Sequence, residues 1–160
     1  MAEPVKYLVK IEGDTAYMAV VGRASYLNCR HAGEFLDLAL ARKCRFVRID
    51  FSKCAGMDST FMGMMAGVAL KLGGGAVSLF NIEGRNLELI ENVGLDEIVK
   101  IGGKCDFRAE PEADSLGADA ATKSAILRAH KKLVEADASN AAKFQDVIAF
   151  LQGQADGENS

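Results

Sequence analysis

Asp58, Ser59 and Thr60 concentrate the polar chemistry of this chain, standing between Met57 and an apolar run that opens at Phe61. Asp58 occupies the place of a helix N-cap, and Ser59 and Thr60 would fill the first turn. A hydroxyl there meets backbone N–H groups that have no partner within the helix, at the positive end of the dipole. Such a position forms hydrogen bonds readily and tolerates an added anion. The same residues also have a plain structural use, because Asp and Ser are among the usual capping residues.

The remaining reactive side chains do not assemble into a familiar site. Cys29, Cys44, Cys54 and Cys105 show no C-x-x-C spacing, and His31, two residues after Cys29, has no second pair to complete a metal site. No metal, no cofactor and no catalytic residue is expected. Cys54 stands near Ser59 without a basic neighbour that would lower its pKa. His31 and His130 are the only histidines, and neither follows the nucleophile–base–acid order of a hydrolase. Gly73-Gly74-Gly75 ends a helix rather than opening one, so it makes no phosphate loop. Residues 1–108 hold 14 basic and 13 acidic side chains and residues 109–160 hold 5 and 9, so the halves carry +1 and −4. Neither half offers the basic patch that nucleic acid requires. No apolar run approaches the roughly 20 residues of a membrane span. The first residues lack the plan of a signal peptide, and a cytoplasmic protein is expected.

What must position Asp58 to Thr60 is a strand before them and a helix after them. Val47, Ile49 and Phe51 alternate with Arg48 and Asp50, which predicts a strand from Arg45 to Phe51. Ser52 to Gly56 break the alternation and read as a loop. The helix is predicted from Ser59 to Leu72, stopped by the three glycines. Upstream, Tyr7 to Ile11 and Ala16 to Val21 read as a hairpin turning at Gly13-Asp14. A loop from Gly22 to Leu27 follows, then a helix capped by Asn28 and running to about Arg42. Downstream come a strand from Ala76 to Phe80, a helix from Arg85 to Asn92, and a short strand from Ile98 to Ile101. The order ββαβαβαβ predicts an α/β fold with a mixed five-stranded sheet. Helices would cover mainly one face, leaving Lys10, Arg48 and Asp50 on the other.

The central stretch resembles the signature of STAS domains, the family of bacterial anti-sigma factor antagonists and sulfate-transporter cytoplasmic tails. The matching residues are Asp50 at the strand end and Met57-Asp58-Ser59-Thr60 at the helix start, with Phe61 where the family usually has Gly. Val77 to Asn81 and Glu91 to Ile98 resemble the strand and closing segment that follow. The resemblance spans roughly residues 5 to 103. It implies a non-enzymatic protein-binding module, phosphorylated on Ser59, with Thr60 as the alternative acceptor. It also implies an anti-sigma factor that is a serine kinase as partner, and a phosphatase. The partner-facing surface would comprise Asp58, Ser59, Thr60 and Met62, with Ser25 and Asn28 from the loop after the second strand. Two alternatives stand beside it: a STAS scaffold in another signalling or transport assembly, and a small-ligand sensor using the same region.

Residues 1–108 are therefore expected to form the STAS-like domain and 109–118 an acidic linker. Residues 119–153 read as an extension of two helices. Ile126, Leu127, His130, Leu133 and Val134 make the first apolar stripe, and Phe144, Val147, Ile148 and Leu151 the second. His130 reads as a partly buried stripe residue rather than a ligand. The helices are expected to dock on the domain itself, with partner binding or homodimerisation as the alternative. Residues 154–160 read as a flexible tail.

Overall fold

Alternating apolar side chains on either side of Gly13 make the opening hairpin. In the computed structural model, which describes residues 5–103 and 114–158, β1 (Lys6–Glu12) and β2 (Thr15–Ala24) pair antiparallel through a turn in which Gly13 has φ +62°. Then follow α1 (Arg30–Ala41), β3 (Phe46–Met57), α2 (Ser59–Leu72), β4 (Val77–Phe80), α3 (Gly84–Asn92), a 3-10 turn (Leu95–Glu97) and β5 (Lys100–Ile101). β2, β3, β4 and β5 pair in parallel, as expected of strand–helix–strand units.

The sheet has six strands, in the order β5-β4-β3-β2-β1-β6, and not five. The extra strand is β6 (Asp114–Leu116), which pairs antiparallel with Tyr7 to Val9 of β1. It lies in the stretch that composition assigns to an acidic linker, and three residues are too few to show a period of two. The rest of residues 109–113, like Cys105, lies outside the described residues.

β3 also runs six residues further than its alternation suggests. From Asp50 to Lys53 it advances three residues while β2 advances two, from Ala19 to Val21; from Cys54 to Gly56 it advances two against one. These bulges break the alternation without breaking the strand. Asp50 holds the first of them. Its carboxylate accepts the Ser52 N–H at 3.0 Å, the Ser52 hydroxyl at 2.9 Å and the Asn81 amide at 2.7 Å. Asp50 is therefore buried, not a solvated residue of the open face.

On one face of the sheet Tyr7, Met18, Ile49 and Leu79 are fully buried. Phe61 of α2 meets Tyr7 there, with ring centroids 6.0 Å apart. On the other face cations lie over rings, Lys10 over Tyr17 at 5.2 Å and Arg48 over Phe80 at 5.9 Å. α4 (Lys123–Ala136) packs on α2, and α5 (Asn140–Glu158) packs on α4. Thr122 caps α4 by accepting the Ala125 N–H at 3.0 Å. α5 continues through the residues expected to be a frayed tail, and Gln154 there accepts a hydrogen bond from Lys123 of α4 at 2.9 Å. Among the described residues no helix is long and apolar enough to cross a membrane.

α4 can approach α2 closely because the facing residue is Gly63. A Cβ built there would stand 2.2 Å from the Ala129 carbonyl oxygen. Gly67, one turn on, faces only the Lys132 side chain, at 3.5 Å.

Candidate functional site

Asp58 fixes the start of α2 in two directions. One carboxylate oxygen accepts the Phe61 N–H at 3.0 Å, the N-cap bond expected from sequence. The other accepts the Tyr26 N–H at 2.8 Å and so ties the loop after β2 to the helix start. Asn28 does not cap α1; Cys29 stands at that position, with no side-chain bond. The Asn28 side chain instead braces the loop. Its Oδ1 accepts from the Tyr7 hydroxyl at 2.6 Å and the Ser25 N–H at 3.0 Å, and its Nδ2 donates to the Arg23 carbonyl at 2.9 Å. The Ser25 hydroxyl accepts the Leu27 N–H at 3.3 Å. Asp58, Ser25 and Asn28 thus belong to one hydrogen-bonded corner beside Ser59, each half-buried.

Thr60 touches the cavity beside Ser59 but, like Met62, is mostly covered. The two are 2 % and 4 % exposed and belong to the interior. Helical geometry turns them away from the solvent-facing side of the first turn, and Met62 joins the packed core rather than an adaptable binding surface. Ser59 is half-buried, and its hydroxyl meets His130 Nε2 at 2.8 Å. His130 is 4 % exposed, and its Nδ1 lies 2.8 Å from the Ile126 carbonyl oxygen. A carbonyl oxygen can only accept, so Nδ1 carries a proton. In the neutral imidazole Nε2 is then an acceptor, and Ser59 donates to it. Phe144 of α5 meets the His130 ring in a T-shaped contact, 5.2 Å between centroids.

Ser59 and His130 open onto a cavity of about 580 Å3. Tyr26, Ile126, Val147, Phe150 and Leu151 form its apolar walls, and Asp58 and Asp146 its acidic rim. Tyr26, Val147 and Phe150 are exposed at 48 %, 41 % and 67 %. Three of the seven large exposed apolar side chains among the described residues, Tyr26, Val147 and Phe150, thus line the cavity that holds Ser59. A second cavity, of about 630 Å3, lies between α1, α2 and α4 and touches none of these groups.

Burial pushes the Cys29 thiol up to about 12, with the nearby Asp58 charge adding to the effect. Burial likewise raises the Tyr7 hydroxyl, and burial raises Cys54. These groups stay protonated at neutral pH and are poor nucleophiles. Cys29 and His31 do not converge: the thiol is buried, and the His31 ring nitrogens meet Asp119 at 2.6 Å and Glu34 at 3.2 Å. That Asp119 contact is part of a strap in which Arg30 and Tyr26 also bond residues 119–121.

Reasoning from sequence places Asp58, Ser59, Ser25 and Asn28 together, as found. It does not reach His130, 71 residues from Ser59, nor Tyr26 and Phe150. Ser59, Gly63 and Gly67 recur every four residues, and this row of small side chains was the available sign that another helix lies along α2.

A family model for the STAS domain matches residues 8–107. Eight chains of solved structures match, among them one described as "Structure of the Anti-Sigma Factor Antagonist SpoIIAA in its Unphosphorylated Form". It is 15% identical, with a TM-score of 0.44, and the match covers 59% of this chain and 86% of that one. No curated protein matches in sequence.

Proposed function

The chain belongs to the STAS domain family, and from that premise we propose that it is a non-enzymatic protein-binding module of the anti-sigma factor antagonist kind, switched by phosphorylation of Ser59. The partner would be an anti-sigma factor that is itself a serine kinase, with a phosphatase to reset the switch, all in the cytoplasm. One observation carries the reading: a half-exposed hydroxyl in the first turn of α2 faces an open cavity rimmed by exposed apolar side chains. Thr60, the alternative acceptor, lines the same cavity but is only 2 % exposed, so Ser59 is the better placed of the two.

The physics of the switch follows from the neighbours. A phosphoryl group adds about −1.5 to −2 charges. At Ser59 it would join Asp58 and Asp146, while helix N-terminal N–H groups accommodate part of the charge within the domain. A docked partner would meet three negative groups where it had met two and a hydroxyl, and its affinity would fall while the fold stayed intact. Partner binding by the STAS-like domain (residues 1–108) would then be modulated by the helices of residues 119–153, which stand over part of the same surface.

The test is a binding measurement with the partner purified from the native host. Ser59→Asp should weaken binding at least tenfold and Ser59→Ala should not. Equal affinity for wild type and Ser59→Asp would remove the switch. That outcome favours the second reading, a phosphorylation-independent scaffold.

A further inference from the structure

We propose that Ser59 is an activated nucleophile whose general base, His130, is supplied by the C-terminal helices. This concerns the same hydroxyl as the phosphorylation reading but requires no partner protein. Three observations converge. Ser59 Oγ lies 2.8 Å from His130 Nε2, within the reach a base needs to take its proton. The Ile126 carbonyl holds the proton on Nδ1, at 2.8 Å, and so presents the Nε2 lone pair to Ser59. Phe144 packs on the ring and fixes its orientation. Nucleophile, base and an orienting group thus stand in the relation that activates serine elsewhere, with a carbonyl in place of a carboxylate.

The pair is also accessible to reactant. Both residues line the same cavity of about 580 Å3, within the range of small-molecule sites. Its walls are apolar, so the fitting reactant is a compact electrophile that carries an alkyl group. With an alkyl fluorophosphonate the Ser59 oxygen attacks phosphorus, an O–P bond forms and the P–F bond breaks. Fluoride leaves and the Oγ proton passes to His130 Nε2. The product is a stable phosphonyl-Ser59, so the reaction is stoichiometric.

The experiment treats the full folded chain with an alkyl fluorophosphonate and maps the adduct by peptide mass spectrometry. Ser59 should label about 100-fold faster than the other serines, the lower end of what a positioned base contributes. His130→Gln should remove that excess, and added imidazole should restore part of it in His130→Ala. Circular dichroism confirms that each variant is folded; should either unfold, the wild-type comparison of Ser59 with the remaining serines decides alone. Labelling of Ser59 at the rate of an ordinary surface serine overturns the proposal, as does unchanged labelling in a folded His130→Gln. A chain that accepts phosphate from a kinase at Ser59 yet ignores the fluorophosphonate keeps the switch and loses the activated nucleophile. The reverse result loses the switch and keeps the nucleophile.

Discussion

Gly63→Ala and Gly67→Ala are the same chemical change four residues apart on one helix, and they should act in opposite directions. At Gly63 the new methyl would lie 2.2 Å from the Ala129 carbonyl oxygen, which is backbone and cannot rotate aside. Restoring ordinary contact at roughly 3.4 Å requires α4 to retreat by about 1.2 Å. His130 follows Ala129 directly, so its 2.8 Å bond to Ser59 stretches towards about 4 Å and is lost. Overpacking costs about 1–3 kcal/mol and the lost hydrogen bond about 0.5–1.5 kcal/mol. Better helix propensity returns about 1 kcal/mol. The expected net loss is about 0.5–3.5 kcal/mol. At Gly67 the methyl meets only Lys132 Cγ at 3.5 Å, an ordinary contact with a flexible side chain. There the propensity gain stands almost alone, and the variant should be up to about 1 kcal/mol more stable than wild type. The chain has no tryptophan, so urea unfolding followed by far-ultraviolet circular dichroism is the assay. A Gly63→Ala variant as stable as Gly67→Ala would refute the close docking of α4 on α2.

Other substitutions probe the corner around Ser59. Asp58→Ala removes the cap of α2 and the anchor of Tyr26, and should cost about 1–2 kcal/mol by urea unfolding. It should also speed amide exchange at Tyr26, whereas an unchanged exchange rate would mean that the carboxylate does not hold the loop. Stability should fall in alkali for a nameable reason. The Cys29 thiol ordinarily titrates near 9 and is pushed to about 12 in the folded chain. Between those values the unfolded chain has lost a proton that the folded chain keeps, so stability is full below pH 9 and declines by about 1.4 kcal/mol per pH unit above it. Tyr7, also raised, adds to the decline at higher pH. Cys29→Ala should flatten the slope by one proton, and an identical slope would show that the thiol does not titrate abnormally. Asn140→Asp should be strongly destabilising, because the buried amide donates to the Val93 and Leu133 carbonyls, which a carboxylate would repel. Full stability of that variant at neutral pH would contradict the buried contact.

What could be read from sequence was local. The Asp58 cap, the helix it starts, the hairpin at Gly13 and the stop at Gly73 each depend on residues within one or two turns of chain. What failed depended on pairing at a distance. β6 is a strand because β1 offers it an open edge, and nothing within Asp114–Leu116 announces that. The first bulge in β3 is held by Asp50 through Asn81, 31 residues away, and a second follows it, so Ser52 to Gly56 imitate a loop. Asn28 has the type of a cap, but Tyr7 and Ser25 claim its side chain first. His130 was legible as a buried position on an apolar stripe. That its second nitrogen reaches Ser59 depends on the docking of α4, which periodicity along α4 cannot specify.

The most direct test of the central claim is site mapping of phosphate on the full chain after incubation with ATP and the serine kinase copurified from its host. One phosphate per chain is expected, on Ser59, with none on the buried Thr60 and none at all in Ser59→Ala. Phosphate retained by Ser59→Ala, or found on Thr60 while Ser59 stays bare, would contradict it.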